Sequence, residues 1–158
     1  MSITVHLDLG YEFTVRASAK AVFDVLSDVP RSASHFPNVE ALTDLGDGVF
    51  QWDMEEVGTP QVNIRTVYAS RYVSNRAKKT VTWSPVPDVG NAQIGGNWLI
   101  QANKGSTTIT LTIEGQVEVP LPSLMRVVVE PVVAVEFERL VEAYIDNLID
   151  TFGGEVEV

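Results

Sequence analysis

The stretch from Pro122 to Phe152 constrains this chain most, because it is the one long segment whose apolar residues recur at helical spacing. Val133, Phe137, Val141, Tyr144 and Leu148 follow one another at intervals of three and four, and so share one face of a helix. Leu140, Ile145 and Phe152 widen that stripe. Glu136, Glu138, Arg139, Glu142, Asp146 and Asp150 fall mostly on the other side. Nearly everything before it reads as strand. A lone amphipathic helix has to bury its apolar face, and the only large partner on offer is a sheet. Pro131 is expected to kink the helix or to divide it into a short lead and a main rod. Gly153-Gly154 is expected to end it, and Glu155 to Val158 to form a frayed tail.

The strands follow from alternation. From Ile3 to Val15 the odd positions are apolar or aromatic and the even ones polar or glycine, which gives a half-buried strand with the odd residues inward and a bulge or bend at Gly10. Ser18 caps a short helix carrying Val22, Val25 and Leu26. Pro30 starts a second, Arg31 to His35, which Pro37 stops. Val39 to Leu45 and Val49 to Val57 form a hairpin through Gly46-Asp47-Gly48, with Phe50, Trp52 and Met54 on one face. Gln61 to Val73 reads as one long strand whose orientation the pattern leaves open: Val62, Ile64, Tyr68 and Tyr72 share a face, and Val67, Ala69 and Val73 lie opposite. Val81 and Trp83 open a strand that Pro85 and Pro87 close. Ala92 to Ala102 and Thr107 to Val119 pair through Asn103-Lys104-Gly105, and Gly95-Gly96 marks a bulge or a close backbone approach. No linker or domain boundary interrupts residues 1–158, which read as one domain of ordinary size.

A formal net charge of -10 argues against a nucleic-acid partner and against docking on anionic lipid through a basic face. The absence of cysteine removes disulfides, thiolate catalysis and Cys-based zinc sites. The first residues carry no basic region followed by an apolar run, and no apolar stretch approaches the ~20 residues of a membrane helix. A cytoplasmic protein without stable membrane insertion is the expectation. No metal-ligand spacing, phosphate-binding glycine loop or GxSxG motif occurs, so no metal and no cofactor are expected.

In its order of strand, two short helices, six strands and long helix, the chain resembles the START-like (SRPBCC) superfamily, with its Bet v 1-like, polyketide cyclase/dehydrase-like and CoxG-like members. The carriers are Ala17 to Phe23 running on through Leu26-Ser27-Asp28, then His35-Phe36-Pro37, Gly96-Asn97-Trp98 and Gly105 to Leu111. The resemblance covers essentially the whole chain. It implies an α+β helix-grip fold: a seven-stranded antiparallel sheet curled around the long C-terminal helix, with two short helices after the first strand. An apolar cavity then lies between sheet and helix. The superfamily binds lipids, sterols, polyketides and other hydrophobic molecules, and some members are cyclases or dehydratases.

Within that frame the ligand-binding candidates are Phe36, Trp52, Met54, Tyr68, Tyr72, Trp83, Trp98, Phe137, Val141 and Tyr144. Aromatic walls with a few polar tips suit a pocket, although each ring taken singly also serves as core filling. The candidates for chemistry are His35, Arg65 and Tyr144. His35 is competent as a general base, its ordinary alternative being a solvated helix end. Arg65 could hold a carboxylate or polarise a carbonyl in one strand register, and faces solvent in the other. Glu56 shares the Trp52 face and would be an acid if buried; Glu55 points the opposite way. Three functions follow: a carrier of a small hydrophobic molecule; a polyketide cyclase- or dehydratase-like enzyme acting on one; and an interaction protein or homodimer, whose sign would be exposed valines between Leu124 and Val135.

Overall fold

The computed structural model describes residues 2–157. Seven strands form one antiparallel sheet: β1 (Ile3–Val15), β2 (Val39–Gly46), β3 (Val49–Met54), β6 (Val67–Asn75), β7 (Thr80–Pro85), β8 (Ala92–Asn103) and β9 (Ser106–Val119). A separate ribbon of two short strands, β4 (Val57–Gly58) and β5 (Asn63–Ile64), projects between β3 and β6. The helices are α1 (Ala19–Leu26), α2 (Val29–Ala33) and α3 (Arg126–Thr151). This is the α+β architecture expected.

The sheet order is β1-β9-β8-β7-β6-β3-β2, so the first two strands of the chain occupy its opposite edges. The segment joining them has to cross the inner face, and α1 and α2 make that crossing. Ser18 caps α1 by accepting a hydrogen bond from the Ala21 N–H, and Asp28 caps α2 through the Arg31 N–H. With Asp28 as the cap, Pro30 lies in the first turn, and α2 begins two residues earlier than the sequence suggested.

Several expectations are corrected. Gly10 makes no bulge: β1 and β9 pair without a shift from Ile3–Val119 to Val15–Thr107. The expected long strand from Gln61 is broken at Arg65-Thr66. There Asn91 substitutes for a neighbouring strand, its side chain accepting from the Val67 N–H at 2.8 Å and donating to the Arg65 carbonyl at 2.9 Å. The strand beginning at Val49 stops at Met54, short of the expected Val57; the Met54 N–H donates to the Thr66 carbonyl at 3.0 Å, beside that break. Pro131 does not divide α3, which runs through it, and the lead is a single 3-10 turn, Ser123–Met125. The tail is held through Glu155-Val156: Glu155 bridges Val15 and the Val156 N–H donates to the Thr14 carbonyl at 2.8 Å. Val158 lies outside the described residues.

The inner face carries two clusters of buried side chains. One gathers Trp52, Met54, Val62, Ile64, Tyr68, Val129 and Phe137; the other gathers Phe23, Leu26, Trp83, Trp98, Ile109, Val141 and Leu148. Phe36, Tyr72 and Ile113 pack against both. Of the two roles considered for Gly95-Gly96, close approach is the one found. A Cβ on Gly96 would stand 2.4 Å from the Thr112 carbonyl oxygen and 2.5 Å from Trp83 Cζ2, so the missing side chain lets the indole lie against the sheet.

Gly96→Ala is therefore expected to destabilise the protein by about 2–3 kcal/mol through overpacking. Thermal unfolding followed by circular dichroism should show a Tm lowered by about 5–10 °C. An unchanged Tm would mean that both the Thr112 carbonyl and the Trp83 ring are free to move aside.

Candidate functional site

Where the two clusters fail to merge, the inner face encloses a narrow cavity of about 50 Å³. Its walls come from α1 and α2 (Leu26, Val29, Ser32), the following loop (Phe36), five strands, and Tyr144 of α3. No residue of the lining carries a formal charge. The rings approach closely, so little of the space is wider than a water molecule. Hollows of larger volume occur on the outer surface, including one of about 410 Å³ bordered by His6, Asp8 and Glu114. Those are more open and are bordered by charged side chains; the inner cavity is apolar with a few convergent polar tips, the usual character of a small-molecule site.

The rings form a continuous wall. Trp52 stacks on Tyr68 at 5.8 Å and 9°, Tyr72 stacks on Trp83 at 5.7 Å, and Trp83 meets Trp98 at 6.4 Å. Trp98 and Phe36 both contact Tyr144, at 6.0 and 4.9 Å between ring centres. All three tryptophans of the chain are in this wall. The register of β6 turns Tyr68 and Tyr72 inward opposite Trp52 and Trp83, which resolves the orientation that the sequence left open.

Four hydroxyl groups punctuate the apolar surface. The Tyr144 hydroxyl and Ser32 Oγ are in hydrogen-bond contact, both residues being buried. The Trp52 indole N–H donates to the Tyr72 hydroxyl at 3.0 Å. The Tyr68 hydroxyl has no hydrogen-bond partner among the described residues and is not sealed from the cavity space. Burial pushes Tyr144 up to about 12, partly offset by its bond from Ser32. Burial, reinforced by the neighbouring phenols, holds Tyr68 and Tyr72 well above their ordinary value. All three are neutral donors at physiological pH, suited to a carbonyl or hydroxyl and unsuited to act as bases.

Of the residues singled out from sequence, Phe36, Trp52, Tyr68, Tyr72, Trp83, Trp98 and Tyr144 line the cavity. Met54, Phe137 and Val141 do not: their side chains are taken up in packing helix and sheet together. Arg65 is turned to solvent and pairs with Glu40 at 3.0 Å, so it holds no group in the cavity. His35 is also outside. Its Nε2 lies 2.8 Å from Thr151 Oγ1, and its carbonyl accepts from Asn147 Nδ2 at 2.8 Å, which ties the end of α2 to the end of α3. Glu55 and Glu56 are exposed. Ser32 was missed, although Val29, Ser32, Ala33 and Phe36 recur at helical spacing and would have placed it on the inner face.

A profile of the polyketide cyclase / dehydrase and lipid transport family matches residues 7–153. No curated protein matches. Among solved structures the chain is similar to a START superfamily protein from Mycobacterium smegmatis, with TM-score 0.64, 15% identity, and 91% and 97% of the two chains covered. It is similar to the Zhui aromatase/cyclase from Streptomyces sp. R1128, with TM-score 0.59, 19% identity and coverage of 92% and 90%. The norcoclaurine synthase from Thalictrum flavum, solved in complex with dopamine and hydroxybenzaldehyde, gives TM-score 0.59, 17% identity and coverage of 92% and 87%. At these identities the likeness is one of fold.

The raised phenols make stability depend on alkaline pH. Above the ordinary value of 10 the unfolded chain loses phenolic protons that the folded chain keeps. Stability is then expected to fall as pH rises from about 10 to about 12, by up to ~1.4 kcal/mol per pH unit for each buried tyrosine. Phenolate absorbance at 295 nm from these three residues should appear together with the loss of ellipticity. Their separate titration near pH 10 in a folded protein would contradict the burial.

Proposed function

Because the chain belongs to the polyketide cyclase / dehydrase and lipid transport family of START-like proteins, we propose that it binds or carries a small neutral hydrophobic molecule, of lipid, polyketide or aromatic class, between the sheet and α3. The observation that carries this reading is the wall itself: uncharged, mostly aromatic, and interrupted only by hydroxyl and indole groups that stay protonated. An anionic or cationic ligand would lose hydration there without gaining a counter-charge. A neutral one exchanges water for ring contacts and finds donors for an oxygen atom. The narrow gaps favour a flat molecule, admitted by small displacements of the rings. On this reading the protein works in the cytoplasm and needs no cofactor.

A second reading, a cyclase- or dehydratase-like enzyme, draws support from the Tyr144–Ser32 pair. Two linked hydroxyls in an apolar wall can donate to a carbonyl oxygen and steady charge developing on it. Tyr144 would serve as acid or polarising group. The two are separated by native mass spectrometry followed by release under denaturing conditions. A carrier returns its ligand unaltered, whereas an enzyme supplied with a polyketone returns a molecule lighter by water or rearranged.

Since all three tryptophans line the cavity, a neutral flat probe such as 1-aminoanthracene should quench most of the intrinsic emission. Trp98→Leu should raise the probe's Kd about tenfold, the loss expected for one aromatic contact, while the far-ultraviolet spectrum keeps its shape. Unchanged affinity would remove Trp98 from the binding surface.

A further inference from the structure

We infer that Phe36 is a door between the cavity and a groove on the surface, and that a hydrophobic ligand enters along the β2 edge of the sheet; this rests on the ligand-binding reading above. The two edges of the sheet are not equivalent. The β1 edge is clasped by the tail, through the Val15–Glu155 bridge and the Ala17 N–H donating to the Phe152 carbonyl at 3.1 Å. Among the described residues, the β2 edge carries no such clasp. There the inner face continues as an open groove of about 390 Å³, floored by Leu42 and Phe50 and walled by Pro30 and Ala33 of α2.

Phe36 lines both the groove and the cavity. Its half-buried ring touches Trp52 at 5.7 Å and Tyr144 at 4.9 Å between ring centres, and no polar group tethers it. The backbone beneath it is fixed. The Phe36 N–H donates to the Ala33 carbonyl, and the preceding residue is tied to α3 through Asn147 and Thr151. Movement is thereby confined to the side-chain torsions, which cost only dispersion contacts to turn and do so quickly. The groove rim bears Glu40 and Asp44, with Glu40 matched by Arg65. The approach is thus apolar in its floor and unattractive to anions in its rim, in keeping with the neutral cavity it serves.

A door and a wall differ kinetically. Obstructing a route slows entry and exit by one common factor and leaves Kd unchanged, because the end states are the same. Stopped-flow mixing with 1-aminoanthracene, read by its own emission, gives both rates. Leu42→Tyr narrows the groove without touching the cavity lining, and should lower kon and koff together by about tenfold with Kd constant within twofold. Phe36→Ala removes the door, and should raise kon by tenfold or more. Wild-type binding with neither substitution altering kon would overturn the route and leave the binding proposal standing. Failure of the wild type to bind neutral flat probes would overturn the binding proposal, and the route with it. Leu42→Tyr still decides the matter if Phe36→Ala does not fold.

Discussion

The structure depends on a mismatch of widths. Seven strands at about 4.8 Å spacing span roughly 29 Å, and one helix with its side chains is about 10 Å across. A single helix laid on such a sheet covers a fraction of the inner face. Curvature, the crossing of α1 and α2, and large side chains have to cover the rest. The two buried clusters are the outcome, each organised around a different stretch of α3: Val129 to Phe137 in one, Val141 to Leu148 in the other. The cavity is the seam between them. It follows from the architecture, and the aromatic residues are what keep it from being wider.

Magnitudes separate the roles of rings and hydroxyls. Burying an aromatic side chain removes about 150–250 Å² from water, worth roughly 4–6 kcal/mol at ~25 cal/mol/Å² as an upper bound. A neutral hydrogen bond adds about 1 kcal/mol net. The stacked Trp52–Tyr68 and Tyr72–Trp83 pairs therefore hold the wall together. The bonds between Tyr144 and Ser32 and between Trp52 and Tyr72 fix how it is oriented. Loss of either bond would leave a buried polar atom unpaired, so the orientation is defended by penalty more than by gain.

Periodicity made the large elements legible. The stripe of α3 and the alternation of β1 and β9 each run over many residues, so local exceptions do not obscure them. The convergence of Trp52, Trp83 and Trp98 was legible because the inward faces of their strands could be assigned; Tyr68 and Tyr72 needed the register of β6. What escaped were features made by contacts distant in sequence. Asn91 stands in for a strand and splits the segment around Arg65-Thr66, which nothing near residue 65 announces. Glu155 and Val156 look like a loose end until the end of β1 is beside them. His35 and Arg65 attracted notice for their chemistry, yet one braces a helix end and the other makes a surface ion pair. Ser32 was overlooked because a small polar residue in a short helix gives a weak signal.

The placement of β1 has a consequence for how the protein is made. β1 leaves the ribosome before the other strands of this sheet, yet its partner, β9, ends at Val119, and the residues that clasp its far end come later still. Through most of translation a thirteen-residue alternating strand waits without a neighbour, its ladder groups and apolar face open to other nascent chains. The β2–β3 hairpin can close early, whereas β1 closes last, its far end then clasped by the tail. Vectorial synthesis therefore works against the order in which this sheet can be completed, and a chaperone that shields the β1 segment would matter more to its yield than one acting on the completed sheet.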